Sequence, residues 1–242
     1  VAAPVLPMGR PGRPRSFDAI PGDGAVVLTW KAPERNGGSA VVAYSLCKTE
    51  GKGGAVELAL LGADRGSYLD LDVSNGQTYE YHVLALNARW EGPPSDALEV
   101  VPSGPPAGPV GLVATASEGG SELAWEAPDD DGGSPVTGYL VYRGSDPGYL
   151  VPLTRVEGTT FLNDTDIVPG RTYHYQVSAV NELGEGPPTP VASTVPFGVP
   201  TAPTNLLLEV KGSRVIVSWD PPATDGGRSL TGYVLFMGAS ED

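Results

Sequence analysis

The stretch SELAWEAPDDDGGSPVTGYLVYR spans residues 121–143. Leu123 and Trp125 alternate with polar neighbours, the period-two pattern of a half-buried strand. Asp131-Gly132-Gly133 then supplies turn chemistry, and Gly138-Tyr139-Leu140-Val141 opens a second strand. The stretch occurs twice more, as AVVLTWKAPERNGGSAVVAYSLCK at 25–48 and RVIVSWDPPATDGGRSLTGYVLF at 214–236. Trp30, Trp125 and Trp219 are 95 and 94 residues apart, and each is followed 14 residues later by a tyrosine: Tyr44, Tyr139 and Tyr233. A fixed period of this kind marks an array of like modules.

A second block recurs in the first two copies: NGQTYEYHVLALNARWEGPPS at 75–95 and PGRTYHYQVSAVNELGEGPPT at 169–189. Tyr79 and Tyr173, like Asn87 and Asn181, are 94 apart. The period is too long for a helical solenoid and suits one small sandwich per repeat. Tyr79, Tyr81, Val83 and Ala85 share one face, as do Tyr173, Tyr175, Val177 and Ala179. Glu80, His82, His174 and Gln176 take the other face. One wet and one dry face is the pattern of an antiparallel sandwich. No segment carries an apolar stripe of period 3.6, so no helix is expected. In the second copy the pattern predicts seven strands: 110–116, 121–126, 136–143, 149–156, 159–163, 171–181 and 189–195.

Gly and Pro make up 58 of the 242 residues, and they cluster between the alternating runs. They read as turns rather than as disorder. The formal net charge is −14. Basic residues gather only at Arg10, Arg13 and Arg15, which argues against a nucleic-acid or anionic-membrane partner. No run of 18 apolar residues occurs, so no membrane-spanning helix is expected. The one cysteine, Cys47, forbids a disulfide within the chain and any cysteine-based metal cluster. Alternation turns it away from the face of Tyr44 and Leu46.

These motifs together resemble tandem fibronectin type III domains, of the kind found in arrays on prokaryotic surfaces. The carriers are the Trp on the second strand, Gly-Tyr-x-Val at 138–141 on the third, and the run from Pro169-Gly170 through Tyr173, Tyr175, Val177 and Ala179 to Asn181 on the sixth. An immunoglobulin domain would place its Trp on the third strand between paired cysteines. The resemblance implies an all-β chain of seven-stranded antiparallel sandwiches arranged as an elongated rod. It also implies that Tyr79 and Tyr173 form tyrosine corners, each hydroxyl bonding to backbone upstream. In the first copy Asn75-Gly76 stands in for Pro-Gly at that turn.

Aligning the linkers at 7–11, 102–106 and 196–200 sets the expected organisation. Residues 1–6 take the place of the last strand of a preceding domain. Complete domains follow at 11–102 and 106–196, and 200–242 holds the first three strands of a third. That third piece cannot bury a core alone. The chain is read as part of a longer array; completion by another subunit or a disordered tail are the alternatives.

No catalytic motif is present. His82 and His174 fall at non-equivalent positions, and neither sits near a nucleophile pattern. No enzyme activity and no cofactor are expected. Asp129-Asp130-Asp131 and the loop Asn163-Asp164-Thr165-Asp166 offer hard oxygen ligands for Ca²⁺, but Glu34-Arg35-Asn36 breaks the first set in copy one, and no metal site is assigned. Asn163-Asp164-Thr165 also fits a glycosylation acceptor. Arg65-Gly66-Ser67 and Arg143-Gly144-Ser145 miss the Arg-Gly-Asp adhesion motif.

The candidate interaction residues are Arg89 and Trp90 in the loop after the sixth strand, and Leu84 and Leu86 on its outward face. The second copy has Gly184 where the first has Trp90, and Ser178 and Val180 where it has the leucines, so the scaffold does not require them. Trp and Arg on rigid loops are favoured contact residues. The alternative for Trp90 is packing on Pro93 and Pro94.

The sequence therefore reads as a non-catalytic segment of an extracellular, cell-surface array: a stalk, adhesin or filament component with protein or glycan partners, or copies of itself. The rivals are a spacer in a secreted polysaccharide-degrading enzyme and a segment of a giant intracellular muscle-type scaffold, whose arrays the Asp-Gly-Gly-Ser-x-x-x-Gly-Tyr segment also resembles.

Overall fold

Alternating strands with one apolar face must pair and then stack in order to bury it. In the computed structural model, which describes residues 8–238, they do so in each repeat. The first repeat comprises β1 (Arg15–Gly22), β2 (Ala25–Lys31), β3 (Val41–Glu50), β4 (Val56–Gly62), β5 (Ser67–Asp70), β6 (Tyr79–Asn87) and β7 (Leu98–Val100). They form two antiparallel sheets, β1-β2-β5 and β4-β3-β6-β7. The second repeat comprises β8 (Val110–Ser117), β9 (Gly120–Glu126), β10 (Gly138–Asp146), β11 (Tyr149–Val156), β12 (Phe161–Asp164), β13 (Tyr173–Asn181), β14 (Gly184–Glu185) and β15 (Ala192–Thr194). Its sheets are β12-β9-β8 and β11-β10-β13 with β14 and β15 on β13. No helix occurs among the described residues.

Each core is the inward row of both sheets. Val26, Leu28 and Trp30 face Tyr44, Leu46, Tyr81, Val83 and Ala85, all buried. Leu123 and Trp125 face Tyr139, Val141, Tyr175, Val177 and Ala179 in the same way. Each fully buried Leu or Val contributes about 1.5–3 kcal/mol of transfer free energy. Trp30 meets Tyr44 edge-on at 5.7 Å, and Trp125 meets Tyr139 at 5.4 Å. The 14-residue spacing thus reports a ring contact across the sandwich.

Two irregularities repeat with the sequence. The first strand shifts register after Arg15, Val110 and Thr204, and the next residue in each case, Ser16, Gly111 or Asn205, has positive φ. This is a bulge built on a left-handed residue, tolerated by Asn and strained for Ser. A second bulge follows Leu46 and recurs after Val141.

Of the third repeat, only β16 (Thr204–Lys211) and β17 (Arg214–Asp220) form. The third strand expected there is not formed among the described residues, for a physical reason. β3 in the first repeat is laddered on both sides, by β4 and β6, and residues 231–238 have no such partners. Tyr233 still reaches Trp219, ring centroids 5.3 Å apart. A groove of about 300 Å³ lined by Leu206, Trp219 and Tyr233 stays open where the other repeats are covered. The strand expected at 1–6 lies outside the described residues.

The molecule divides into two compact units. One takes the residues up to 107 together with 129–137 and 180–186; the other takes 108–128, 138–179 and the residues from 187 on. The division does not follow the repeats, because the Asp-Gly-Gly loop of the second repeat is tied to the linker before it.

Candidate functional site

The tyrosine of each corner ends a turn whose first free N–H needs a partner. The hydroxyl oxygen of Tyr79 accepts the N–H of Ser74 at 2.9 Å, and that of Tyr173 accepts the N–H of Val168 at 2.9 Å. Beside each corner lies a buried ionic cluster that sequence reasoning missed. Lys48 on β3 places its ammonium 3.0 Å from Asp70 on β5, donates to the carbonyl of Asp72, and lies 4.7 Å above the Tyr79 ring. The hydroxyl of Tyr81 donates to Asp70 at 2.7 Å. In the second repeat Arg143 pairs with Asp164 at 2.9 Å, donates to the carbonyl of Asp166, and stacks on Tyr173, while Tyr175 donates to Asp164 at 2.8 Å. The only trace in the sequence is spacing: Lys48 and Arg143 each fall 18 residues after the core Trp, where the third repeat has Met237.

Burial, and then the Asp70 carboxylate, push the Tyr81 phenol well above its ordinary value. Burial is also the first cause for Tyr175, Tyr44 and Tyr139. Burial works against the charge of Arg143, but Asp164 overrides it and holds the guanidinium above its usual value. A tyrosine raised in this way keeps its proton in the folded state where the unfolded chain loses it at about pH 10. Its contribution to stability is complete below that pH and is lost as pH rises through it. Phenolate absorbance should therefore show that four of the ten tyrosines titrate only together with unfolding; ionisation of all ten in the folded protein would refute this.

Of the candidate interaction residues, Leu84 and Leu86 lie on β6, and Arg89 and Trp90 on the hydrogen-bonded loop that follows it. Asn87, at the end of β6, accepts the N–H groups of Arg89 and Trp90 at 3.1 and 2.9 Å. Its own backbone N–H donates to the Trp90 carbonyl at 3.0 Å. Arg89 is exposed, while Trp90, Leu84 and Leu86 are half-buried. Leu84 on β6 is directly opposite Ser45 on β3, and Ser45 is opposite Leu60 on β4. The structure thus adds Leu60, 60% exposed, to the patch. At the aligned positions the second repeat has Ser178, Leu140 and Arg155. On the other sheet Ile20, Val27 and Leu69 form a second apolar rung, all exposed. The aligned residues there are Thr115, Glu122 and Asn163. At five of these six positions the first repeat is apolar and the second polar; the exception is Ser45, where the second has Leu140. Cys47 is half-buried beside Ser45, which donates to Glu57 at 2.7 Å.

The acidic loops have other employment. Asp130 and Asp131 accept the N–H groups of Gly132 and Gly133, and Asp164 is taken by Arg143 and Tyr175. Among the described residues no group of three or more His, Cys, Asp or Glu is placed to hold a metal, nor is any helix long and apolar enough to cross a membrane.

Residues 105–195 match the model of the fibronectin type III domain. Residues 105–195 are a fibronectin type III domain, and the residues before them repeat its strands and sheets. It is similar to human myomesin-2, 29% identical over 196 residues, covering 76% of this chain and 13% of that protein. It is similar to human cardiac-type myosin-binding protein C, 29% identical over 211 residues, 84% of this chain and 16% of the relative. Human receptor-type tyrosine-protein phosphatase F is 31% identical over 180 residues, 68% of this chain and 9% of that protein. The chain thus spans less than a fifth of each of these relatives. The crystal structure of the chicken CNTN1 FN1-FN3 domains is similar at 20% identity and a TM-score of 0.44, over 88% of this chain and 76% of that one.

These findings correct the expected location. The muscle proteins among the relatives, which include chicken M-protein of striated muscle at 30% identity, point away from the extracellular, cell-surface and prokaryotic setting. A lack of disulfides is the ordinary condition of a reducing cell interior, so it never favoured the outside.

Proposed function

We propose that this chain is a non-catalytic segment of an intracellular muscle-type scaffold, and that its first repeat docks a filament protein. The observation that carries the reading is five apolar side chains on the outer faces, Leu60 and Leu84 on one sheet and Ile20, Val27 and Leu69 on the other, at positions where the second repeat has Arg155, Ser178, Thr115, Glu122 and Asn163. Exposed apolar patches mark contact sites, and Trp90 with Arg89 supplies anchors of the favoured types at one end of the first rung. The muscle relatives support a protein partner rather than a glycan, and the name of one of them, cardiac-type myosin-binding protein C, makes myosin the partner to try first.

The test is cosedimentation with purified striated-muscle myosin filaments. The chain should pellet with them. Trp90→Ala should weaken binding about tenfold or more, the scale of an interface anchor, while changing stability by less than about 1 kcal/mol, since the backbone bonds to Asn87 survive. Binding that is absent, or indifferent to Trp90→Ala and to Leu84→Ser with Leu60→Ser, would sink the proposal.

A further inference from the structure

We propose that the second glycine of each Asp-Gly-Gly loop is a seat for the turn of the preceding repeat, and that the partner it fits is an Asn-Gly or Pro-Gly turn. Within the first compact unit Gly76, which ends the turn before β6, lies against Gly133. A Cβ on Gly133 would stand 2.5 Å from the Gly76 nitrogen and 2.9 Å from its Cα. Within the second unit Gly170 lies against Gly227, where a Cβ would stand 2.8 Å from both the nitrogen and the Cα of Gly170. From the other side, a Cβ on Gly76 would meet the Gly133 Cα at 3.2 Å, and one on Gly170 would meet Gly227 at 3.3 Å.

The same contact made twice, by residues 94 apart, is a built feature. The linker is clamped into it from both ends. Gly76 donates its N–H to the Pro102 carbonyl at 2.9 Å, and Gly104 donates to the Gly132 carbonyl at 2.9 Å. In the second unit Gly170 donates to Pro196 at 2.8 Å and Gly198 to Gly226 at 2.7 Å. Prolines 102 and 196 thus offer carbonyls in an extended segment whose φ is already fixed.

Turn conformation alone does not demand glycine here. Gly133 and Gly227 have φ of 77° and 84°, a region that Asn and Asp also enter. Their N–H groups are satisfied locally, by Asp131 and Asp225. What excludes a side chain at these two positions is the backbone of the adjoining turn. Gly158 is the internal control: its φ is 68°, and nothing lies within 4 Å of a Cβ built there.

The test is amide exchange by NMR on the whole chain, with Gly133→Ala beside Gly158→Ala. Gly133→Ala should speed exchange at Gly76 and Gly104 about tenfold or more while Val83 in the core stays protected, the signature of local rather than global opening. Gly158→Ala should leave Gly76 and Gly104 unchanged. Equal effects from the two variants, or none from Gly133→Ala, would overturn the seat. Should Gly133→Ala not fold, the unsubstituted protein decides: cross-peaks between the α-protons of Gly76 and Gly133, and of Gly170 and Gly227, are required, and their absence refutes the proposal. Neither readout depends on the partner suggested above.

Discussion

Asp70→Ala should destabilise the first repeat by about 3–5 kcal/mol, the cost of stranding one member of a buried ion pair. The side chains of Lys48 and Asp70 are only 9% and 2% exposed. Removing the carboxylate leaves an ammonium with a single carbonyl, that of Asp72, and leaves the Tyr81 hydroxyl without its acceptor. It also frees the N–H of Asp72, which Asp70 holds at 3.0 Å. Asp164→Ala should cost less, because Arg143 is 21% exposed and water can take over part of the work. Replacing both partners, Lys48→Met with Asp70→Leu, should recover most of the loss, since two buried charges are costly even when paired. The measurement is native-state exchange, which reads each repeat separately: Val83 for the first and Val177 for the second. Equal losses for Asp70→Ala and Asp164→Ala, or a loss under about 1 kcal/mol for both, would mean that solvent screens the clusters.

These clusters mark where reading the sequence stops. The alternation around Trp125 and Tyr175 reports the inward face directly, because burial acts on every second residue. The strand limits were legible to within about two or three residues for the same reason. Asp70 and Lys48 are different. Each looks like a surface residue at the end of its own strand, and they meet only after two sheets have closed. Leu60 joins Leu84 through the register of β3 with both neighbours, and a bulge after Leu46 offsets that register. No count along the chain anticipates a bulge. Arg89, Trp90, Leu84 and Leu86 are candidates because the repeats can be compared: a position that is Trp in one copy and Gly in the other is free of the fold's own demands. The third strand expected in the last repeat does not form among the described residues, because an apolar pattern makes a strand only with neighbours to ladder with. Compartment left no mark on the core, so the surface features used to infer it misled.

Asn181→Ala should cost about 3 kcal/mol, although the residue touches no core side chain. Asn87 and Asn181 stood out as a spacing of 94, but their partners are backbone groups far along the chain. Asn181 donates to the carbonyls of Gly104 and Asp131 at 2.8 and 2.9 Å and accepts the N–H groups of Leu183 and Gly184 at 2.8 and 3.0 Å. Asn87 does the same with Gly9, Asn36, Arg89 and Trp90. One side chain therefore ties the linker, the Gly-Gly loop and the loop after the sixth strand. Both asparagines are 5% exposed, so water cannot replace the lost bonds without opening the structure. At about 1 kcal/mol net for each of four bonds, with some return from the more exposed loop groups, the sum is about 3. Asn181→Asp separates the roles. It keeps the acceptor for Leu183 and Gly184 but turns a donor into a carboxylate oxygen facing two carbonyls, so it should cost at least as much as alanine. Urea titration followed by exchange at Gly104 and Val177 measures both effects. If Asn181→Asp proved milder than Asn181→Ala, the donated bonds to Gly104 and Asp131 would carry little, and the linker would be held by the glycine contacts alone.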